Sequence, residues 1–415
     1  MNDGLFADIE LPLGVAMTVR VSRWLLSQLQ QMPLWPKTVS LCEDLRQWAV
    51  GHGYPVWARL GIDYDQGGFF EKIDHYGNPV ALPRRGRVTP RQLYCFAMAA
   101  ELGSTLDADA ILQASVETYL DRFFRPDGLI RTLVDADGSV LDDSVSLYDQ
   151  AFGLFALASV TRTQPQIIGL EARAKRLLEQ LKARQANGLG GFDETAPATL
   201  PLQSNPHMHI FEATLAWTEV SNDPIWQAQA DEIAELCLSK FIEPQLGCVR
   251  EYFDGNWNAS AGVEGLKFEP GHQFEWGWLL LRWGKAKARA DAIAAARKMI
   301  ALAETHGIDP VRGVAYNVLL SDLSVHDAQS RLWPQTERIK AGILLAQMTG
   351  EPEALRGVVE GALGLMKYLD VPITGLWHDR MQPDGSFIDE AAPASSFYHI
   401  ICAIVELHRA VKAAG

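Results

Sequence analysis

The sequence contains no long apolar run. No window of its 415 residues is apolar enough to cross a bilayer as a helix. Nor does it contain a tract rich in Lys and Arg. Its 37 basic residues are outnumbered by 51 acidic ones, for a formal net charge of −14, so nucleic-acid phosphates and anionic lipid surfaces find little to bind. Cysteine is sparse and patternless. Cys42, Cys95, Cys237, Cys248 and Cys402 are odd in number, scattered, and form no CxxC, which argues against a disulfide framework or a thiolate zinc site and for a reducing compartment. The first ten residues carry acids where a signal peptide carries bases, and a cytoplasmic location is expected. No low-complexity linker interrupts the chain. Residues 31–415 therefore read as one domain, and residues 1–30 as an appended segment without readable chemistry.

What is present is an ordinary globular composition, 48% hydrophobic and 21% charged, with material for a large core. Within it one unit recurs: a polar amphipathic helix, a short extended run with a tight turn, then a more apolar helix. The apolar helices have heads near Arg91, Tyr148, His209, His272, Trp333 and His399, at intervals of roughly 57 to 66 residues. The polar helices are expected over 37–51, 107–124, 167–185, 224–241, 285–306 and 352–369, each with one wet face. Twelve helices in alternating inner and outer roles predict an all-α protein, an (α/α)6 barrel. The segments 67–77, 128–138 and 375–385 each run from Gly to Gly; with the shorter 247–255 they predict small β-hairpins at the barrel mouth.

The stretch Lys267–Leu281 shows the pattern most clearly. Pro270 and Gly271 punctuate the backbone, and His272, Glu275, Trp276 and Leu279 then fall on one helical face, polar at its first turn and apolar after it. His209 and Glu212 repeat the i, i+3 spacing, and His399 heads a third apolar helix. If the six heads converge, they bring together Arg91, Tyr148, Asn205, His209, Glu212, His272, Glu275, Trp333, Glu337 and His399. Helix N-termini favour oxyanions and neutral imidazole, and aromatic faces suit sugar rings. Histidines with carboxylate partners suit proton transfer near neutral pH, including removal of a proton from carbon beside a carbonyl. A glycosidase would rest on two carboxylates instead.

Plainer readings stand beside these. A single histidine at a helix start is more often a cap or a satisfied polar residue than a catalyst; three at matching repeat positions weigh the other way. His207 and His209 have the look of a zinc pair, but helical i, i+2 side chains point apart, so no metal is expected. Trp276 reads as core. The Arg84–Arg85–Gly86–Arg87 turn is either a solvated rim or an anion clamp.

Six short motifs, in order, carry a resemblance: Arg91-Gln-Leu-Tyr, Leu147-Tyr148-Asp-Gln-Ala-Phe, Asn205-x-His-x-His209-x-x-Glu212, Gly271-His272-x-x-Glu275, Trp333-x-Gln335-x-Glu337 and Tyr398-His399. Over nearly the whole chain from about residue 35 the sequence resembles the N-acylglucosamine 2-epimerase superfamily, which includes mannose isomerases and cellobiose 2-epimerases. The resemblance implies the same barrel and 1,2-proton chemistry on a reducing sugar without a cofactor. It implies His272 and His399 as the acid/base pair, a cis-enediol intermediate, and Arg91, Asn205 and His209 on the sugar oxygens. It also implies Glu275 and Glu337 tuning the histidines, and Tyr148, Trp333 and Trp377 against the ring. Some disaccharide epimerases of that group carry a Trp shortly before the last histidine; here the stretch is Ala392-Pro-Ala-Ser-Ser-Phe-Tyr398, which favours a monosaccharide. The expected function is aldose–ketose isomerisation of the mannose–fructose type. The alternatives are 2-epimerisation of glucose, mannose or an N-acyl hexosamine, or glycoside hydrolysis on the same barrel. The partner is a small sugar, and the protein a monomer or homo-oligomer.

Overall fold

A computed structural model describes residues 29–414, together with Phe6, Ala7, Val21 and Ser22. The appended segment expected at 1–30 lies almost wholly outside the described residues. The twelve principal helices alternate between two rings. The outer ring comprises α1 (Trp35–Trp48), α3 (Ala108–Phe123), α5 (Leu170–Gln185), α7 (Pro224–Leu236), α9 (Ala290–His306) and α11 (Pro352–Leu369). The inner ring comprises α2 (Val88–Ala97), α4 (Leu147–Thr163), α6 (Ser204–Thr218), α8 (Pro270–Lys287), α10 (Trp333–Thr349) and α12 (Ala394–Ala414). Each inner helix packs on the next, and α12 packs back on α2, which closes the barrel.

The sequence explains which helix goes where. Helix α9 buries Ala292, Ala296, Met299, Ile300 and Ala303, one stripe at helical spacing. Helix α8 buries every residue from Pro270 to Leu281, as an inner element must. Helix α1 runs on through wider turns to Gly61, further than the expected end at 51. Pro270 and Gly271 are not loop residues: α8 already begins at Pro270, where a missing N–H costs nothing.

The hairpins do more than edge the mouth. The strand before each of five inner helices pairs with a neighbouring unit's hairpin: 84–85 with 133–134, 202–203 with 252–253, 267–268 with 318–320, 330–331 with 380–381, and 392–393 with 72–73. At the sixth head the Leu147 N–H donates to the Glu194 carbonyl at 3.3 Å. A buried side chain then clamps four of the joints, an amide at three of them. Gln150 holds both backbone groups of Ile130 (2.8 and 2.7 Å), Gln273 those of Val249 (2.7 and 3.0 Å), and Gln335 takes the Ala315 N–H at 3.2 Å. In the third unit the matching partner is His207, whose Nε2 accepts from Phe192 N–H at 3.0 Å while Nδ1–H donates to the Gln203 carbonyl at 2.8 Å. His207 is thus a satisfied structural histidine, and burial holds its ring neutral, with a pKa pushed down to about 4.

The turn glycines follow the expected outline with one exception. Gly138 and Gly385 take left-handed φ of 90° and 88° after Asp137 and Asp384. In the 247–255 hairpin the left-handed position falls on Trp257, φ 60°, not on Gly255; its indole N–H donates to the Gly190 carbonyl at 3.0 Å. At the far end, ion pairs close the floor. Arg162 lies 3.8 Å from Glu101 and 3.7 Å from Glu219, Arg282 joins Glu219, and Arg409 holds Glu101 and Glu406.

Candidate active site

All six heads meet inside the inner ring. Exposure sorts the residues there. Arg91 (6%), His272 (5%), Trp333 (6%) and His399 (7%) keep a sliver of accessible surface, whereas Glu212, Glu275 and Glu337 are at 1% or below. The former line the cavity and the carboxylates lie behind them.

Trp333 packs against both histidines named as an acid/base pair. Its ring centroid is 5.0 Å from that of His272 and 5.6 Å from that of His399, so both imidazoles lie against one indole. Each is pinned through Nδ1. His399 Nδ1–H donates to Glu337 Oε1 at 3.0 Å, and His272 Nδ1–H to Glu251 Oε2 at 2.8 Å. In both rings Nε2 is left as the free nitrogen.

The partner of His272 is the main departure from the sequence reading. Glu275, three residues on, makes no hydrogen bond to it and adds only a smaller charge effect. Glu251, on the 247–255 hairpin, makes that bond instead, held by the Glu269 N–H at 3.0 Å; the Glu269 carboxylate adds a second negative charge 4.0 Å from the ring. A residue 21 positions away in sequence is invisible to helical spacing. The signal available was the hairpin's place directly beneath the helix head. Glu275 lies 3.8 Å from His209 instead. Burial, then the charge of Glu337, push its carboxyl well up against the pull of Lys340.

The two imidazoles have opposite electrostatics. Burial alone would lower His272, but Glu251 and Glu269 outweigh it and raise the ring to about 10. His399 goes well below the ordinary range, through burial first and then the positive charges of Arg91 and Lys340. The surroundings of His272 thus favour the imidazolium and those of His399 the neutral ring.

On the other wall, Arg91 Nη2 donates to the Tyr148 hydroxyl at 2.6 Å, and its guanidinium lies 3.9 Å above the Phe152 ring. Tyr148 meets His209 edge-on, with ring centroids 5.1 Å apart. His209 is neutral, lowered by burial to about 4, and its Nδ1 is 3.4 Å from Glu212. Glu212 also accepts from the Tyr398 hydroxyl. Asn205 stands at the head of α6 with its side-chain oxygen buried and unpartnered, free for a hydroxyl.

Trp377 is not brought to the cavity. It is fully buried, stacked between Trp57 (5.0 Å) and Phe397 (5.7 Å), so the ring contact expected of it is withdrawn; it props the base of α12. Trp276 is core, as read. The Arg84–Arg87 turn is largely spoken for. Arg84 pairs with Asp63 at 2.7 Å and Arg85 with Glu71 at 2.6 Å. Arg87 is looser, 3.6 Å from Asp149 and 5.4 Å above the Tyr148 ring.

Three groups bring ligand-type atoms close together: His209, Glu212 and Glu275; Glu251, Glu269 and His272; and Glu275, Glu337 and His399. Some of their lone pairs are already engaged, although Glu275 Oε1 has no partner. Tyr398 occupies Glu212, Lys340 occupies Glu337, and each Nδ1 faces a carboxylate.

Comparison with known proteins gives the family and the fold. Residues 68–403 match the profile of the N-acylglucosamine 2-epimerase (GlcNAc 2-epimerase) family. The chain is 44% identical over 377 residues to a mannose-6-phosphate isomerase of Rhizobium meliloti (strain 1021), covering 89% of this chain and 97% of that one. Among solved structures, cellobiose 2-epimerase from Spirochaeta thermophila DSM 6192 superposes with a TM-score of 0.81 at 21% identity, covering 92% of this chain and 99% of that one. A D-mannose isomerase gives 0.79 at 20%, covering 89% and 97%.

Proposed function

The chain belongs to the N-acylglucosamine 2-epimerase family, and on that premise we propose that it is a sugar isomerase interconverting an aldose and a ketose of the mannose–fructose type. The observation that carries the mechanism is the pair of imidazoles, each pinned by a carboxylate through Nδ1 and both against Trp333.

The open-chain aldose lies along Trp333, with Arg91, Asn205 and His209 on its oxygens. Neutral His399 takes the C2 proton through Nε2, and the electrons of that C–H bond form the C1–C2 double bond. The negative charge moves to O1, where the His272 imidazolium gives up its proton, leaving a cis-enediol. His399 then returns its proton to C1 while His272 recovers one from the C2 hydroxyl, so the ketose forms and both rings are reset. Acid and base groups held with pKa values pushed apart are what this chemistry needs.

One feature favours 2-epimerisation as the second reading: two histidines against one indole offer one group to remove the C2 proton and another to return it to the other face. Hydrolysis has less support. It needs two carboxyls across a glycosidic bond, and Glu212, Glu251 and Glu337 each hold a neighbour's proton.

The test is incubation of the enzyme with mannose, and in parallel with mannose 6-phosphate, in D2O. Ketose formation supports the isomerase, with deuterium at C1 to the extent that the base exchanges with solvent. An aldose epimer deuterated at C2 supports the epimerase, and release of a reducing end from an oligosaccharide alone sinks both. Because a relative 44% identical is named for the phosphorylated sugar, the second arm decides the substrate form. Arg87 is the group on this wall best placed to meet a phosphate.

A further inference from the structure

Among the described residues Lys340 is the one lysine that is fully buried. An ammonium in a barrel core is costly to desolvate, so its position calls for compensation. Lys340 lies one turn after Glu337 on α10 and places Nζ 2.7 Å from Glu337 Oε2, with the ammonium 4.0 Å above the Trp278 ring. The other oxygen of Glu337 is the one that accepts from His399. Three side chains from two inner helices thus form one line, ammonium to carboxylate to imidazole.

We propose that Lys340 is a positioning residue that acts through Glu337 on His399. Its charge fixes Glu337 as a carboxylate, and the carboxylate fixes the His399 tautomer with Nε2 bare. The inference rests on His399 as the base. The surroundings make the ammonium necessary. Glu212 faces the group from α6 and Glu275 from α8, with His209 beside them; Arg91 faces it from α2, Tyr398 and Cys402 from α12. Without Lys340 three carboxyls would crowd a dry space and lose the ammonium that lowers each of them. Burial already pushes the Glu337 carboxyl up, and Lys340 pulls it back.

The sign follows from charge. The working state is neutral His399 beside ionised Glu337, and one added proton, whichever group takes it, disables the pair. Removing a positive neighbour makes that uptake easier. The acid limb of kcat/KM therefore moves to higher pH.

The experiment compares pH profiles of the wild type, Lys340→Met and Lys340→Arg, with 15N-histidine NMR on the same proteins; the His399 signals are assigned by their loss in His399→Gln. Lys340→Met is expected to shift the acid limb upward by about one pH unit or more, so that kcat/KM falls on the acid side, up to about tenfold below the wild-type limb, and recovers on the plateau. Lys340→Arg is expected to stay close to the wild-type profile. A rate lowered equally at every pH, with the limb unmoved, would overturn the proposal. Should Lys340→Met fail to fold, wild-type NMR still decides: a neutral His399 ring protonated on Nδ1 at pH 7 supports the assignment, and a ring protonated on Nε2 or an imidazolium overturns it. A wild type that turns over no sugar would remove the isomerase reading and leave this spectroscopic result standing by itself.

Discussion

His272 and His399 are the same side chain held in opposite protonation states, and the difference comes from what lies behind each ring. Two carboxylates back His272; behind His399 the carboxylate charge is offset by Lys340, with Arg91 nearby. A raised pKa means the imidazolium is present below about 10 and lost above it. The alkaline limb of kcat/KM is therefore expected near that pH, and the acid limb well below 6.5, giving a broad plateau. Glu251→Gln keeps the hydrogen bond and removes the charge, so it should move the alkaline limb downward and cost more rate at pH 9 than at pH 7. A profile identical to the wild type would separate Glu251 from the chemistry. His272→Ala and His399→Ala should each lower turnover by at least ~100-fold, the usual scale for a general acid or base; near-wild-type rates in either would remove that residue from the mechanism. At this scale the sequence was legible in part. The histidines stood out because they recur at helix heads, whereas Glu251 and Lys340 did not. One reaches its partner across a hairpin, and the other lies one turn below a residue already noticed, where a lysine reads as surface.

Between elements, the approach of α8 to α10 depends on a missing side chain. A Cβ on Gly271 would meet the Trp333 ring at 2.4 and 2.6 Å and Pro334 at 3.0 Å. Gly271 is there for close approach, and the turn-like look of Pro270–Gly271 concealed that. Gly271→Ala should displace the indole that both histidines touch. We expect kcat/KM to fall about tenfold or more, since small misplacements at a reacting centre are costly, with little change in the far-UV spectrum. Unchanged kinetics would mean that Trp333 has room to spare. The glutamine clamps belong to this scale too. Gln150, Gln273 and Gln335 recur in the heads, as does His207 in their place. Their backbone targets lie in the neighbouring hairpins, and no spacing within a helix points to those. The hairpins themselves were legible from their paired glycines, because a left-handed turn after Asp leaves few other residues possible.

For the whole molecule, the roughly 60-residue period announced the barrel, because a repeating unit with one wet helix and one dry helix can bury its dry members only against each other. The ring that results has two unlike ends. The mouth carries the histidines, Arg91 and Trp333; the floor carries Arg162, Arg282 and Arg409 tied to Glu101, Glu219 and Glu406. A helix of 18 residues such as α8 separates them by on the order of 25 Å, so stability and chemistry should respond to different substitutions. Arg282 pairs with Glu219 and lies 4.6 Å above the Trp278 ring. Arg282→Met keeps most of its volume and leaves Glu219 short of a partner, at a cost of roughly 1–3 kcal/mol for a pair that is only partly buried. Thermal unfolding should move down by a few degrees while kcat/KM stays within about twofold, the reverse of what His399→Ala should do. Trp278 links the two ends, since the Lys340 ammonium lies on the same indole. If Arg282→Met changed the acid limb as well as the melting temperature, the floor would be coupled to the mouth through that ring, and the two ends could not be treated as independent.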